Sequence, residues 1–181
     1  NDTTKSCDEI NDATIRKTVR GLDTIKSQGQ SLMNFTNSYR QLARLQAPNP
    51  KPFSLSHQVH NIELLFQSDL QRLQIGLNVY LYQEEITVDA DEELLSQVLI
   101  NLLKNAIEAL DEQDNGEITL AVKQSGNTTL IEITDNGPGI PYDLQEDIFV
   151  PFFTTKSQGS GIGLSLSRQI IRMHGGELQV Y

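Results

Sequence analysis

Apolar residues in the N-terminal part of the chain recur at Leu22, Ile25, Leu32, Phe35, Tyr39 and Leu42, in steps of three, four and seven. Such steps place one apolar stripe along a helix. No proline interrupts Ala13 to Gln46, so the pattern predicts one long helix there, weakened at Gly21 and Gly29, after a polar and frayed segment over 1–12. The stripe fits either an amphipathic helix packed on its own domain or a coiled-coil seam. The proline-rich run Ala47 to Pro52 ends the helix, because proline removes a donor and disfavours helical geometry at the residue before it. Residues 47–53 are therefore expected to be a stiff hinge, dividing 1–46 from a domain over 54–181.

Beyond the hinge the period changes. Ser54 or Ser56 can cap a helix reaching about Leu73, with Val59, Ile62, Leu65, Phe66 and Leu70 inward. Ile75 to Tyr82 alternates and predicts a strand, as does the shorter Ile86 to Val88. Asp89 or Asp91 opens a helix that contains Gln97 to Ala109. Ile118 to Val122 and Thr129 to Thr134 read as a hairpin turning at Ser125, Gly126 and Asn127. A short helix over Leu144 to Phe149, a helix from about Gly161 to Met173 and a strand from Glu177 complete the reading. Helices and strands mix without a regular strand–helix–strand repeat, which predicts an α+β class: a two-layer α/β sandwich with helices on one sheet face.

Composition changes this picture little. The chain has 181 residues, 38% hydrophobic and 21% charged, in keeping with one globular core and an appendage. A formal net charge of −10 argues against nucleic acid or an acidic membrane as partner. The single cysteine, Cys7, excludes an internal disulfide and suits a reducing compartment. No apolar run is long enough to span a bilayer. The polar start and the end at Tyr181, within an expected strand, suggest a fragment of a longer chain, cytoplasmic in this part even if the parent is anchored in an inner membrane.

Chemistry enters with the helix around Gln97 to Ala109. Val98, Leu102, Leu103 and Ile107 supply its apolar side, yet Asn101 and Asn105 stand one turn apart within it. Asparagine is a poor helix former, so a pair inside an aliphatic helix needs a reason. Downstream come DNGPGIP (Asp135 to Pro141), PFFTTK (Pro151 to Lys156) and GSGIGLSLS (Gly159 to Ser167). Each alone is weak: an Asp-Asn-Gly turn, a flexible glycine loop, a solvated lysine. Glycines leading into a helix do, however, open its first-turn N–H groups to an anion.

Together, and in this order, the four motifs resemble the N, G1, F and G2 boxes of sensor histidine kinases. The ATP-binding fold of that family is shared with DNA gyrase, mismatch-repair proteins of the MutL type and the heat-shock chaperone ATPases. The resemblance runs box by box from Gln97 to Gly176. The PFFTTK and GSGIGLSLS boxes and the stretch Ile25 to Lys51 are most similar to the nitrogen-regulation class.

The resemblance implies a set of roles. Asn105 would ligate Mg²⁺ through its amide oxygen, with Asn101 in support and Lys104 as a phosphate partner. Asp135 would accept from the adenine amino group, Gly137 and Gly139 would let the backbone turn against the base, and Ile140 and Leu164 would wall the purine. Gly159, Gly161 and Gly163 would hold the phosphates. Residues 142–160 would form a lid anchored by Phe152 and Phe153, with Thr154, Thr155 and Lys156 touching phosphate or a partner helix. The helix over 13–46 would be the second helix of a dimerisation hairpin, making a homodimer in the intact protein. The γ-phosphate would pass to a histidine and then to an aspartate of a response-regulator receiver domain.

No phosphoacceptor box is present: His57 and His60 follow the hinge, and His174 sits near a helix-ending glycine. The chain is therefore expected to bind Mg-ATP without phosphorylating itself. Related hydrolases carry a glutamate at the place of Asn101, and a carboxamide cannot take a proton from water at neutral pH. That departure favours phosphotransfer over an ATPase of the same fold. A scaffold with a decayed ATP site is the non-enzyme alternative, against which the complete boxes count.

Overall fold

The computed structural model describes residues 2–43, 45–111, 113–156 and 159–181, with the side chains of 2–13, 31, 34, 35, 37–39 and 41–43 outside the description. Helix α1 runs unbroken over Asp2–Ala43. The expected fraying over 1–12 is replaced by helix from Asp2, since neither proline nor glycine occurs before Gly21 to stop it. Its stripe is uncovered: Leu22, Ile25 and Leu32 are exposed, joined by Ile15, Val19 and Met33. The side chains of Phe35, Tyr39 and Leu42 lie outside the described residues.

Part of the expected hinge is a strand. Lys51–Ser54 (β1) pairs antiparallel with Thr87–Ala90 (β3), Lys51 opposite Ala90. Ser54 then caps α2, Leu55–Leu73, by accepting from the His57 N–H at 3.3 Å. The inward stripe of α2 is Leu55, Val59, Ile62, Phe66 and Leu70. Leu65, expected inside, is 58% exposed because it falls off that stripe.

The main sheet has the order β2-β4-β5: Gly76–Leu81, Glu117–Ser125 and Thr128–Asp135. β4 and β5 form the expected hairpin, with Gly126 in a left-handed turn at φ 59°. β2 and β4 are parallel, and parallel neighbours need a crossover. The crossover carries α3, Glu92–Ala109, capped by Asp91 accepting from the Leu94 N–H at 3.1 Å. Alternation aims Ile118, Leu120 and Val122 of β4 at the helices, where they pack with Leu55, Val59, Leu99, Leu103 and Ile107. The sheet's other side leaves Tyr80 and Leu130 exposed. This is the two-layer α+β arrangement.

Helix α4, Gly163–Met173, builds a second, smaller core. Ile162, Leu166 and Ile170 close on Val98, with Leu45, Leu94 and Leu102 alongside. Helix α3 thus serves two cores from different faces, and Leu102 belongs with Val98 and α4 rather than with Leu103 and the sheet. Among the described residues no helix is long and apolar enough to cross a membrane.

Three expected elements differ. The helix over 144–149 is two 3₁₀ turns, Tyr142–Leu144 and Asp147–Phe149, too short for a helical ladder. α4 starts at Gly163, because Gly161 has φ 65° and cannot join a right-handed helix. The segment from Glu177 is not a strand: Tyr181 touches Glu132 on the β5 edge through its hydroxyl, but its backbone pairs with no strand.

Candidate active site

The candidate site forms where the polar flank of α3 meets the start of α4 and Lys156 of the segment expected to form a lid. Asn101 donates through Nδ2 to Ser167 Oγ at 3.0 Å. Gly163 lies against the same amide, and any Cβ there would overlap Asn101 Oδ1. α2 and α3 each have a side-chain cap, but Ile162 at the start of α4 offers none. The first-turn N–H groups of α4, with the positive end of its dipole, therefore open toward the glycine loop. Such an end takes an anion.

One turn along α3, Asn105 meets the lid. Lys156 Nζ donates to Asn105 Oδ1 at 3.4 Å and lies 2.6 Å from Glu108 Oε2. Glu108 Oε1 is 3.8 Å from Lys104 Nζ. Two lysines, one acid and one carboxamide thus share a patch that the sequence distributes over α3 and the F-like motif. Glu108 was not among the expected site residues; its only sequence signal was its place four residues after Lys104.

At the end of β5, Asp135 Oδ1 accepts from the Gly137 N–H at 3.0 Å, which turns the chain back toward Ala109 at the end of α3. Asn136 secures this corner by accepting from the Glu117 N–H at 2.8 Å and donating to Asn115 O at 3.0 Å. Among the described residues only the Gly137 N–H is seen donating to the Asp135 carboxylate. Gly139 has φ 71°, Ile140 is part-exposed and Leu164 half-buried.

The segment expected to form the lid packs at its base beside the glycine loop. Phe153 is half-buried but Phe152 is 41% exposed, in a left-handed conformation at φ 72°. Its N–H donates to Gly161 O at 2.8 Å, and a Cβ on Gly161 would come within 2.7 Å of Phe152 O. Phe149 adds an aromatic contact at the base of this segment, its ring lying 4.3 Å from the Arg168 guanidinium of α4. Thr154 is spent locally: its Oγ1 accepts from the Lys156 N–H at 3.1 Å, shaping the turn that presents the lysine. Thr155 is exposed, and Gly159 N–H closes the loop onto Lys156 O at 3.2 Å.

His174 is structural. Its Nε2 accepts from the Asp91 N–H at 3.0 Å and its Nδ1 reaches Ile170 O at 2.8 Å, joining the start of α3 to the end of α4. Asp91 also accepts from Asn49 N–H at 2.9 Å. The Asn49 and then the Leu94 N–H hold its carboxyl below the ordinary 3.8. His57 and His60 are exposed on α2, away from these motifs, His60 beside Glu63 at 3.5 Å.

The donor set fits a nucleotide with Mg²⁺. Asn105 Oδ1 already faces a cation, and no cluster of three acidic, histidine or cysteine residues among those described could hold a metal unaided. A site with one amide oxygen suits Mg²⁺, which takes its remaining ligands from phosphates and water.

An α+β sandwich with an open helix end at a glycine loop and a carboxylate at a glycine turn has the layout of an ATP-binding domain. The family described as histidine kinase-, DNA gyrase B-, and HSP90-like ATPase matches residues 90–181. The chain is 42% identical over 122 residues to the sensor histidine kinase ZraS of Salmonella typhi, covering 67% of this chain and 26% of that protein. It is 34% identical over 177 residues to the signal transduction histidine-protein kinase AtoS of Escherichia coli, covering 97% of this chain and 28% of that one. The crystal structure of histidine kinase ThkA in complex with the response regulator TrrA matches with a TM-score of 0.73 at 30% identity, over 86% of this chain and 44% of that one. The chain belongs to this ATPase family, and its catalytic domain is of the sensor histidine kinase type. It spans little more than a quarter of the length of the curated relatives it matches.

Proposed function

We propose that this chain is the part of a two-component sensor kinase that binds Mg-ATP and delivers its γ-phosphate to a histidine, for relay to a response-regulator aspartate. The observation that carries this reading is the convergence on one flank of α3: Asn105 beneath Lys156, and Asn101 against the open start of α4. Asn105 would hold Mg²⁺, which supplies neutralisation of phosphate charge. The α4 N–H groups orient the phosphates, Lys104 and Lys156 approach the terminal one, and Asp135 accepts from the adenine amino group. Guanine would present a carbonyl to that carboxylate, leaving it without a donor. In transfer, the bond between γ-phosphorus and its bridging oxygen breaks as one forms to an unprotonated imidazole nitrogen, and ADP leaves with the electron pair. The chain's contribution is positioning and charge, as phosphoryl transfer requires.

Asn101 supports transfer over hydrolysis. Its amide is occupied by Ser167 and can take no proton from water. The commitment of His174 to Asp91 and Ile170, and the place of His57 and His60 on α2, support an acceptor histidine other than these three. The region 1–46 is read as part of a dimerisation hairpin, 47–53 as its connection and 54–181 as the catalytic domain. ThkA is seen with a response regulator, which supports a receiver domain as partner here. The assigned setting is cytoplasmic, in a parent that membrane anchoring would suit.

Calorimetric titration with a non-hydrolysable ATP analogue tests the reading. Wild type should bind in a Mg²⁺-dependent way. Asp135→Asn should weaken binding about tenfold or more, the scale of a lost hydrogen bond to a charged group, and Asn105→Asp should alter the metal dependence. A folded wild type that binds nothing would favour the scaffold alternative, while steady hydrolysis would favour an ATPase.

A further inference from the structure

Glu108 is an acid placed among the groups the site offers to phosphate. Its two oxygens are divided between Lys156 Nζ at 2.6 Å and Lys104 Nζ at 3.8 Å, and Lys156 also donates to Asn105 Oδ1 at 3.4 Å. Thr154 fixes the turn that brings Lys156 down from the lid. We infer that Glu108 is a positioning residue that stands in for the terminal phosphate, holding both lysines until a triphosphate takes them over. The inference rests on the reading of Asn105 and the two lysines given above, and adds to it how the site tells ATP from ADP.

The physical case is one of exchange. A divalent cation held by Asn105 Oδ1 would repel an ammonium so near the same oxygen, so Lys156 would leave that oxygen when Mg-ATP enters. The shift is cheap, because the side chains of Lys156 and Glu108 are 43% and 41% exposed and a solvated pair is weak. A γ-phosphate carries more charge than one carboxylate and draws both lysines to itself. ADP offers no such group, so with ADP Lys156 gives up only the Asn105 oxygen to the cation, both lysines remain on Glu108 and the lid stays tied to α3. Glu108 therefore opposes the triphosphate by holding its partners and by like charge, and leaves the diphosphate nearly untouched.

Titrations of the ATP analogue and of ADP, each with and without Mg²⁺, on wild type, Glu108→Gln and Glu108→Gln in a Lys156→Met background test this, with hydrogen exchange of lid amides in the nucleotide-free protein. Glu108→Gln should bind the analogue roughly fivefold tighter, with ADP changed by less than about twofold, in line with a half-exposed pair. That gain should vanish in the Lys156→Met background. Lid amides should exchange faster in Glu108→Gln, and the reversed pair Glu108→Lys with Lys156→Glu should restore protection. Equal or weaker analogue binding in Glu108→Gln, a gain that persists without Lys156, or unchanged lid exchange would each overturn the inference. A wild type that binds no nucleotide while Glu108→Gln still loosens the lid would instead fault the reading of the site, so the two failures are distinct.

Discussion

Gly163 shows how much can rest on one missing methyl. A Cβ there meets the Asn101 amide, so Gly163→Ala must push Asn101 off Ser167 or draw α4 away from α3. The expected outcome is a loss of roughly tenfold or more in nucleotide affinity with little change in circular dichroism, since displacements of about an ångström at a positioned site cost that much. Undiminished binding would separate α4 from the phosphates. Asp91 makes a different prediction. Its carboxyl is held low by the Asn49 and Leu94 N–H groups, so its contribution to stability is complete above the ordinary 3.8 and is lost as pH falls through the lower folded value. The Tm difference between wild type and Asp91→Asn should therefore shrink on acidification below about pH 4, while Asp91→Ala at neutral pH should lose about 1 kcal/mol of capping. The asparagines, the Asp135 carboxylate and the glycine clusters stood out in the sequence only as a set in order, since each alone is a common local pattern. Glu108 and the Arg168–Phe149 stack did not: Glu108 sits within the Asn-bearing helix but its partner Lys156 comes from another segment, and only folding brings Arg168 over Phe149.

Among the elements, α4 carries the most consequence for its length. It lacks a side-chain cap, and its place depends on the small core around Ile170, which is fully buried. Ile170→Ala should cost about 2–5 kcal/mol in urea denaturation, as for other buried truncations. Nucleotide affinity should fall with it, because the open helix end moves when its base loosens. Destabilisation with affinity intact would show that the phosphate end is held by the Asn101 contact alone. Period and turn chemistry revealed most elements of the catalytic domain and narrowed each side-chain cap to two candidates, of which the structure uses Ser54 and Asp91. They failed where the chain is short or strained: the two 3₁₀ turns at Tyr142 and Asp147, and the segment after Glu177, where a strand needs a neighbour to be one.

For the whole molecule, the long helix α1 displays Ile15, Val19, Leu22, Ile25, Leu32 and Met33 to solvent. A partner helix would cover this stripe, and the proposed homodimer supplies one. Sedimentation should give a mass near twice 20.3 kDa, reverting toward the single chain in Leu22→Glu with Ile25→Glu. A monomer at every concentration would leave α1 as an appendage without a pairing role.

The sequence by itself determined most of the elements, because helical and strand periods, caps and glycine turns are local and are written over a few consecutive residues; the boxes were named by their resemblance to a known family. Tertiary structure decided what those boxes touch. Only folding set Asn101 on Ser167, drew Lys156 down between Asn105 and Glu108, and divided α3 between two cores. These contacts join residues 48 to 66 positions apart, and packing, to which no sequence window extends, brings them together.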